Sequence, residues 1–360
     1  MNSRPVFFRN SRNRRKAASA PSMRPKALSG SIAKYSRGLA LSVLSGSAAL
    51  LAVSALLSMQ SAQAANIILY DGDTSTVWNA GGNWTGGIAP TNDLTTDIAK
   101  FDLATYAFQP TATSNGNING IIMGASSGAI TITTSLTTSR LNIGTGGIVM
   151  DAGTGTLTIG TAATQGVTLG ASQSWTNNSS SLLTVSSVAN DANVTPFTLT
   201  LDGSGSGGTT ISNIITNGGA TGTTALIVNM SGTGVVTLSG ANTLTGGIAL
   251  NQGTLVATVI GAFGTSANTL TFGGGNLDLR AATNAAVTYT GALNLNSTNQ
   301  TISVNTAAAT DGLTHLISGA LTLGTQTTTV SAGSNINTNT NYGLTLSGAK
   351  TFAVSGPEQN

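Results

Sequence analysis

Threonine alternates with apolar residues in short runs along most of this chain. Ala129–Thr134 reads AITITT, Gly155–Gly160 GTLTIG, Phe197–Gly203 FTLTLDG, Val235–Gly240 VVTLSG and Leu344–Gly348 LTLSG. A period of two places successive side chains on opposite faces of a strand, one face buried and one lined with Thr and Asn. β-branched residues suit a pleated surface. The runs end in Gly, Asn, Asp or Ser, which accept turn geometry. No helical repeat of ten residues or more follows the first 64 positions, so the pattern predicts an all-β chain.

Composition changes sharply near residue 65. Ten of the 14 Lys and Arg lie between Arg4 and Arg37, and no acid precedes Asp71. Threonine is absent from residues 1–64 and occurs 58 times in the 296 that follow. From Ala65 onward the balance is four basic residues against 11 acidic, a net charge of −7. The basic pI therefore belongs to the leader and gives no reason to expect nucleic-acid binding. The leader itself has the order of an export signal. A basic stretch is followed by the chargeless apolar run Gly38–Leu57 and by Ala62-Gln63-Ala64, a small-x-small cleavage pattern. Residues 1–64 are accordingly expected to be a long basic signal peptide. With no cysteine, the exported chain must hold together by burial and hydrogen bonding alone.

Short strands with Gly/Asn-rich corners over nearly 300 residues favour a solenoid over a sandwich or barrel. The expected strands are three to five residues long. The expected coils are roughly 20–25 residues each, giving about 12–15 of them. Residues 65–110 are read as a Trp-containing capping segment, in which Trp78 and Trp84 plug the open end. Residues 111–360 are read as the solenoid.

Gly232–Ala257 reads GTGVVTLSGANTLTGGIALNQGTLVA. It closely resembles the autotransporter-associated β-strand repeat of large surface-exported bacterial proteins. The matching positions are Gly232, Gly234, Thr237, Leu238, Gly240, Asn242, Thr243, Thr245, Gly246, Gly247, Asn251, Gly253, Thr254 and Leu255. Leu244 stands where an aromatic is usual and Ile248 where Thr is usual. Thr269–Arg280 resembles the typical continuation, and Thr76–Asp102 the Trp-containing opening of such passengers. A partial copy occupies 344–356. The resemblance implies a right-handed parallel β-helix carried to the cell surface, the outer membrane or the medium of a Gram-negative-type bacterium. Members commonly run on into a membrane barrel or a sorting tail; the chain is read as a short secreted member or, the preferred expectation, as a reading frame cut short at residue 360. Within the repeat, Val236, Leu238, Ile248, Leu250 and Leu255 should point inward, Thr237 outward, and Gly246-Gly247 should turn a corner.

Chemistry is sparse. His315 is the only histidine and reads as a lone surface or corner residue, since a metal cage or a nucleophilic triad has nothing to pair it with. Asp71, Asp73 and Ser75 begin like a calcium loop, but Thr76 and Gly82 stand where Gly and an acid are needed. Asp93, Asp97 and Asp102 could gather as a carboxylate cluster on an enzyme; solvated turn acids are the simpler reading. No catalytic, cofactor-binding or metal residues are assigned. The expected function is a non-catalytic, adhesive or structural surface protein, with a polysaccharide-acting enzyme on the same scaffold as the alternative. The expected partner is a surface or matrix ligand, a glycan among the candidates, with membrane contact only during export. An incomplete last coil also predicts end-to-end self-association.

Overall fold

A computed structural model describes residues 65–352, apart from short breaks at 113–114, 191–194, 220, 266, 282–285, 296–298, 308–312, 324–326, 337–341 and 347–349. The leader at 1–64 and the tail at 353–360 lie outside the described residues, and with them the signal peptide, its cleavage site and the end of the partial repeat.

The described residues form a parallel β-solenoid, all-β apart from one 3-10 turn at Gly81–Asn83. Two long parallel sheets run through it. The first follows a path of twelve strands from Asn66–Tyr70 to Lys350–Phe352, and the second is ten-stranded. A third face is paired through Val167–Leu169 and Val188–Asn190 early in the chain. Late in the chain it becomes a three-stranded sheet built on Leu313–Ile317. The one antiparallel bridge among the described residues joins Tyr70 to Trp84.

Stacking puts like over like. In the first sheet Ala99, Ile121, Ile148, Trp175, Leu201, Val228, Leu250 and Phe272 stand in one register. In the second, Ile132, Ile159, Val185, Ile211, Leu238, Ala257, Leu279 and Val304 do the same. All sixteen are fully buried. Between the inward positions of the second sheet runs an outward rank of threonines, Thr131, Thr158, Thr184, Thr210 and Thr237. The alternation read from the sequence is thus the inside–outside alternation of the coils.

The segment 232–257 occupies just over one coil. Val236 and Leu238 point inward from the second sheet, Ile248 and Leu250 from the first, and Leu255 from the second sheet again. Thr243 and Thr245 are exposed at the intervening corner. Asn242 is buried there and links the neighbouring coils. Its Oδ1 accepts the Ile215 N–H at 2.7 Å, and its Nδ2 donates to the Ala262 carbonyl at 2.6 Å. Gly240 leaves no room for a side chain, since a Cβ would lie 2.2 Å from the Asn213 carbonyl oxygen. Gly247 sits at φ +90°, in the left-handed region. Leu244, in place of the usual aromatic, is fully buried.

Two dimensions differ from expectation. Strands reach ten residues at Leu141–Met150. Its first half pairs with Val167–Leu169 and its second with Gln173–Asn177, so one continuous strand serves two faces. The chain bends between them, where Gly147 has φ +58°. Coil spacing is also less even than expected. Leu226 stacks on Ile248, an interval within the expected range, whereas Ile67 stacks on Ile98, an interval well beyond it. The extra residues leave at corners, where they do not disturb the paired strands. Among the described residues no helix is long and apolar enough to cross a membrane.

Removing a rung of a core ladder should therefore be felt locally. Leu201→Ala is expected to cost about 2–5 kcal/mol, whereas Thr184→Ala on the outer rank should stay within about 0.5 kcal/mol. Urea unfolding followed by tryptophan fluorescence, to which Trp175, the register neighbour of Leu201, contributes, measures both.

Candidate functional site

The acids singled out in the sequence have separate local jobs. Asp93 organises its own loop. Its Oδ1 accepts the N–H groups of Thr95 and Thr96, each at 2.7 Å, and its Oδ2 the Thr96 hydroxyl at 2.7 Å. These bonds, the Thr95 N–H first, hold its carboxyl below the usual range. Asp97 is buried at the start of a strand, accepting from the Thr91 N–H at 2.7 Å and the Asn66 amide at 3.2 Å. Asp102 pairs with Lys100 at 2.7 Å, which lowers its carboxyl, and accepts the Ser126 N–H. Among the described residues no three His, Cys, Asp or Glu side chains stand together as a metal-holding group.

The loop that begins like a calcium site is organised by an asparagine. Asn83 is fully buried, and its Oδ1 accepts the N–H groups of Thr74 and Ser75 at 3.2 and 2.8 Å. Its Nδ2 donates to the Ser75 hydroxyl and, at 2.7 Å, to the Val77 carbonyl. One side-chain amide thus gathers the loop from within. The sequence reading missed Asn83; its Gly-Gly-Asn-Trp setting marked a turn but not which loop its side chain would gather.

Trp78 and Trp84 are 4% and 1% exposed. Their rings pack edge-to-face with centroids 5.1 Å apart, and Tyr70 lies 5.0 Å from Trp84. The Trp84 indole N–H donates to the Trp78 carbonyl at 2.7 Å. Both belong to the same buried cluster as the coils, so neither offers a face to a sugar. Burial, with the charge of Asp71, pushes the Tyr70 hydroxyl up to about 12.

His315 corrects the sequence reading: it is fully buried rather than at the surface. Alternation around it could have signalled this, because His315 and the buried Ile317 share the inward side of Leu313–Ile317. Its Nδ1 accepts the Val287 N–H at 3.2 Å and its Nε2 lies 2.8 Å from the Asn305 carbonyl oxygen. Nε2 therefore carries the proton of a neutral ring. Tyr289 stands edge-on, centroids 5.5 Å apart. Nearby, Asp278 Oδ2 accepts from Arg280 and from the Asn305 amide. Burial holds the imidazole below its ordinary value, against the opposing pull of the Asn305 carbonyl and the Asp278 charge. These contacts fit a structural polar pin.

The outer face of the first sheet carries a trough. One hollow of about 360 Å³ is lined by Thr145, Val149, Ser172, Ser174, Thr176, Thr198 and Thr200, among others. A second, of about 310 Å³, is lined by Thr198, Ala225, Ile227, Gly246, Gly247, Ala249, Thr269 and Thr271. Thr198 borders both. Small residues lower the floor of the second, and Gly246 is obligatory there, a Cβ lying 2.6 Å from the Thr224 backbone. Neither hollow has a charged lining residue.

Compared with known proteins, the chain matches no family model, no curated protein and no solved structure. Its class is defined by its fold: an all-β parallel β-solenoid whose outer faces are rich in hydroxyl side chains and carry few charges, Lys100, Asp202 and Arg280 among them.

Two measurements test these local roles. Above about 6.5 the unfolded and folded histidine are both neutral. As pH falls below that, the unfolded chain binds the proton first, so stability is lost. The melting temperature should drop between pH 7.5 and 5, and His315→Phe, whatever its starting stability, should flatten that drop. Asn83→Ala should red-shift the tryptophan emission and cost about 1–3 kcal/mol, while chelator leaves the melting temperature of the unaltered protein unchanged.

Proposed function

We propose that the protein is an exported, non-catalytic β-helical passenger-type protein, displayed at the cell surface or released, with a structural or adhesive role. The observation that carries this reading is the use to which its few strong chemical groups are put. Asp93, Asp97 and Asp102 each serve the local backbone or a lysine. His315 is held between the Val287 N–H and the Asn305 carbonyl. The outer faces carry mostly hydroxyl side chains, with few charges such as Lys100 and Asp202.

The autotransporter-type identity of 232–257 belongs to this proposal. It is supported by the fit between the pattern and the coil. Gly240 sits where a Cβ would collide, Asn242 bridges coils, and Gly246-Gly247 precedes the next inward strand. Export rests on the order of the leader, basic then apolar then Ala62-Gln63-Ala64.

Fractionation of cells expressing the full gene tests the reading. The protein is expected outside the inner membrane with an N-terminus at about Ala65, and it should release no reducing ends from a panel of neutral and acidic polysaccharides. A chain that retains Arg4 and stays inside the cell would end the export reading. Cleavage of a glycan, lost in Asp97→Asn or Asp102→Asn, would replace it with the enzyme alternative.

A further inference from the structure

We propose that the trough on the first sheet binds an uncharged polysaccharide chain; this deepens the surface-protein reading and rests on it. Five consecutive strands contribute one outward row, Ser174, Thr200, Ile227, Ala249 and Thr271. At about 4.8 Å per strand the row spans roughly 19 Å, room for several sugar rings laid end to end along the stack.

The chemistry of the lining selects the occupant. The hydroxyls of Ser174, Thr176, Thr198, Thr200, Thr269 and Thr271 have no protein partner among the described residues. Each can donate and accept. A ligand that also donates and accepts all along its length is a polyol. A polyanion finds no cation in the lining, and a polycation finds no carboxylate in it and only Asp202, the register neighbour of Thr176, beside it. An added peptide strand needs a free sheet edge, whereas this is a sheet face whose strands already pair with a coil on either side. The Ala225, Ile227 and Ala249 floor of the second hollow offers C–H surface for the less polar face of a sugar ring.

The test uses the purified exported protein in gels cast with soluble neutral glucans, mannans and galactomannans, and with polygalacturonate as the acidic comparison. At least one neutral polymer should retard the protein, and polygalacturonate should not. Thr198→Val with Thr200→Val keeps the shape and removes two hydroxyls; binding should weaken about tenfold. Thr200→Arg should abolish it, and Thr184→Arg, on the second sheet, should leave it unchanged. Circular dichroism and melting of each variant separate lost binding from lost folding.

The site is overturned if no neutral polymer retards the protein, if folded trough variants bind as well as the parent, or if polygalacturonate binds better. An exported, inert protein that binds none of these polymers would leave the surface reading intact and remove the site. Release of reducing ends from a polymer whose binding the trough variants weaken would keep the site and remove the non-catalytic reading.

Discussion

Everything in this molecule depends on parallel backbone pairing between one coil and the next. That pairing sets equivalent residues about 4.8 Å apart, so each position meets its own kind rather than a complement. An apolar position then makes a continuous core, as from Ala99 to Phe272. A hydroxyl position makes a rank, as from Thr131 to Thr237. A charged position would make a column of like charges, each pair costing on the order of 1–4 kcal/mol between water and a protein surface. Fifteen charged residues in the 296 from Ala65 onward is what such stacking tolerates. Lys100 pairs with Asp102 and Arg280 with Asp278, while Asp97 and Asp202 stand in columns whose register neighbours are uncharged, Asn66 for the first and Thr176 and Asn229 for the second.

Corners obey a different rule, because there the backbone leaves the sheets and its polar groups need other partners. Asparagine supplies them. Asn242 joins three coils through Ile215 and Ala262. Asn268 accepts the Gly247 N–H and donates to the Phe263 carbonyl. Asn83 does the same work for the N-terminal loop. An amide both donates and accepts, so one side chain satisfies two strands' ends without bringing a charge inside. Glycine is complementary to it, occupying the places where the next coil's backbone comes too close for a Cβ.

The strands and their inward faces were legible in the sequence because alternation and burial share one period. Phe197–Gly203 and Val235–Leu238 needed no other information. Legibility failed where the deciding neighbour lies a coil away. The division of Leu141–Met150 between two faces follows from which later strands it meets. The trough exists because Ala225 falls beside Gly246 and Ala249 in space although a whole coil of chain separates them. His315 lay between these cases: its inward phase was written in Leu313–Ile317, but rarity in the composition argued for the surface.

The uneven coil spacing, short from Leu226 to Ile248 and long from Ile67 to Ile98, has a mechanical consequence. Each coil adheres only to its neighbours, so a pull on either end loads a single interface at a time instead of the whole core. The solenoid would peel like a winding, one turn per rupture, each releasing roughly 70–110 Å of chain. A tether built this way lengthens under tension in many small yields, dissipating a sudden load that would shear a sandwich of the same mass in one event.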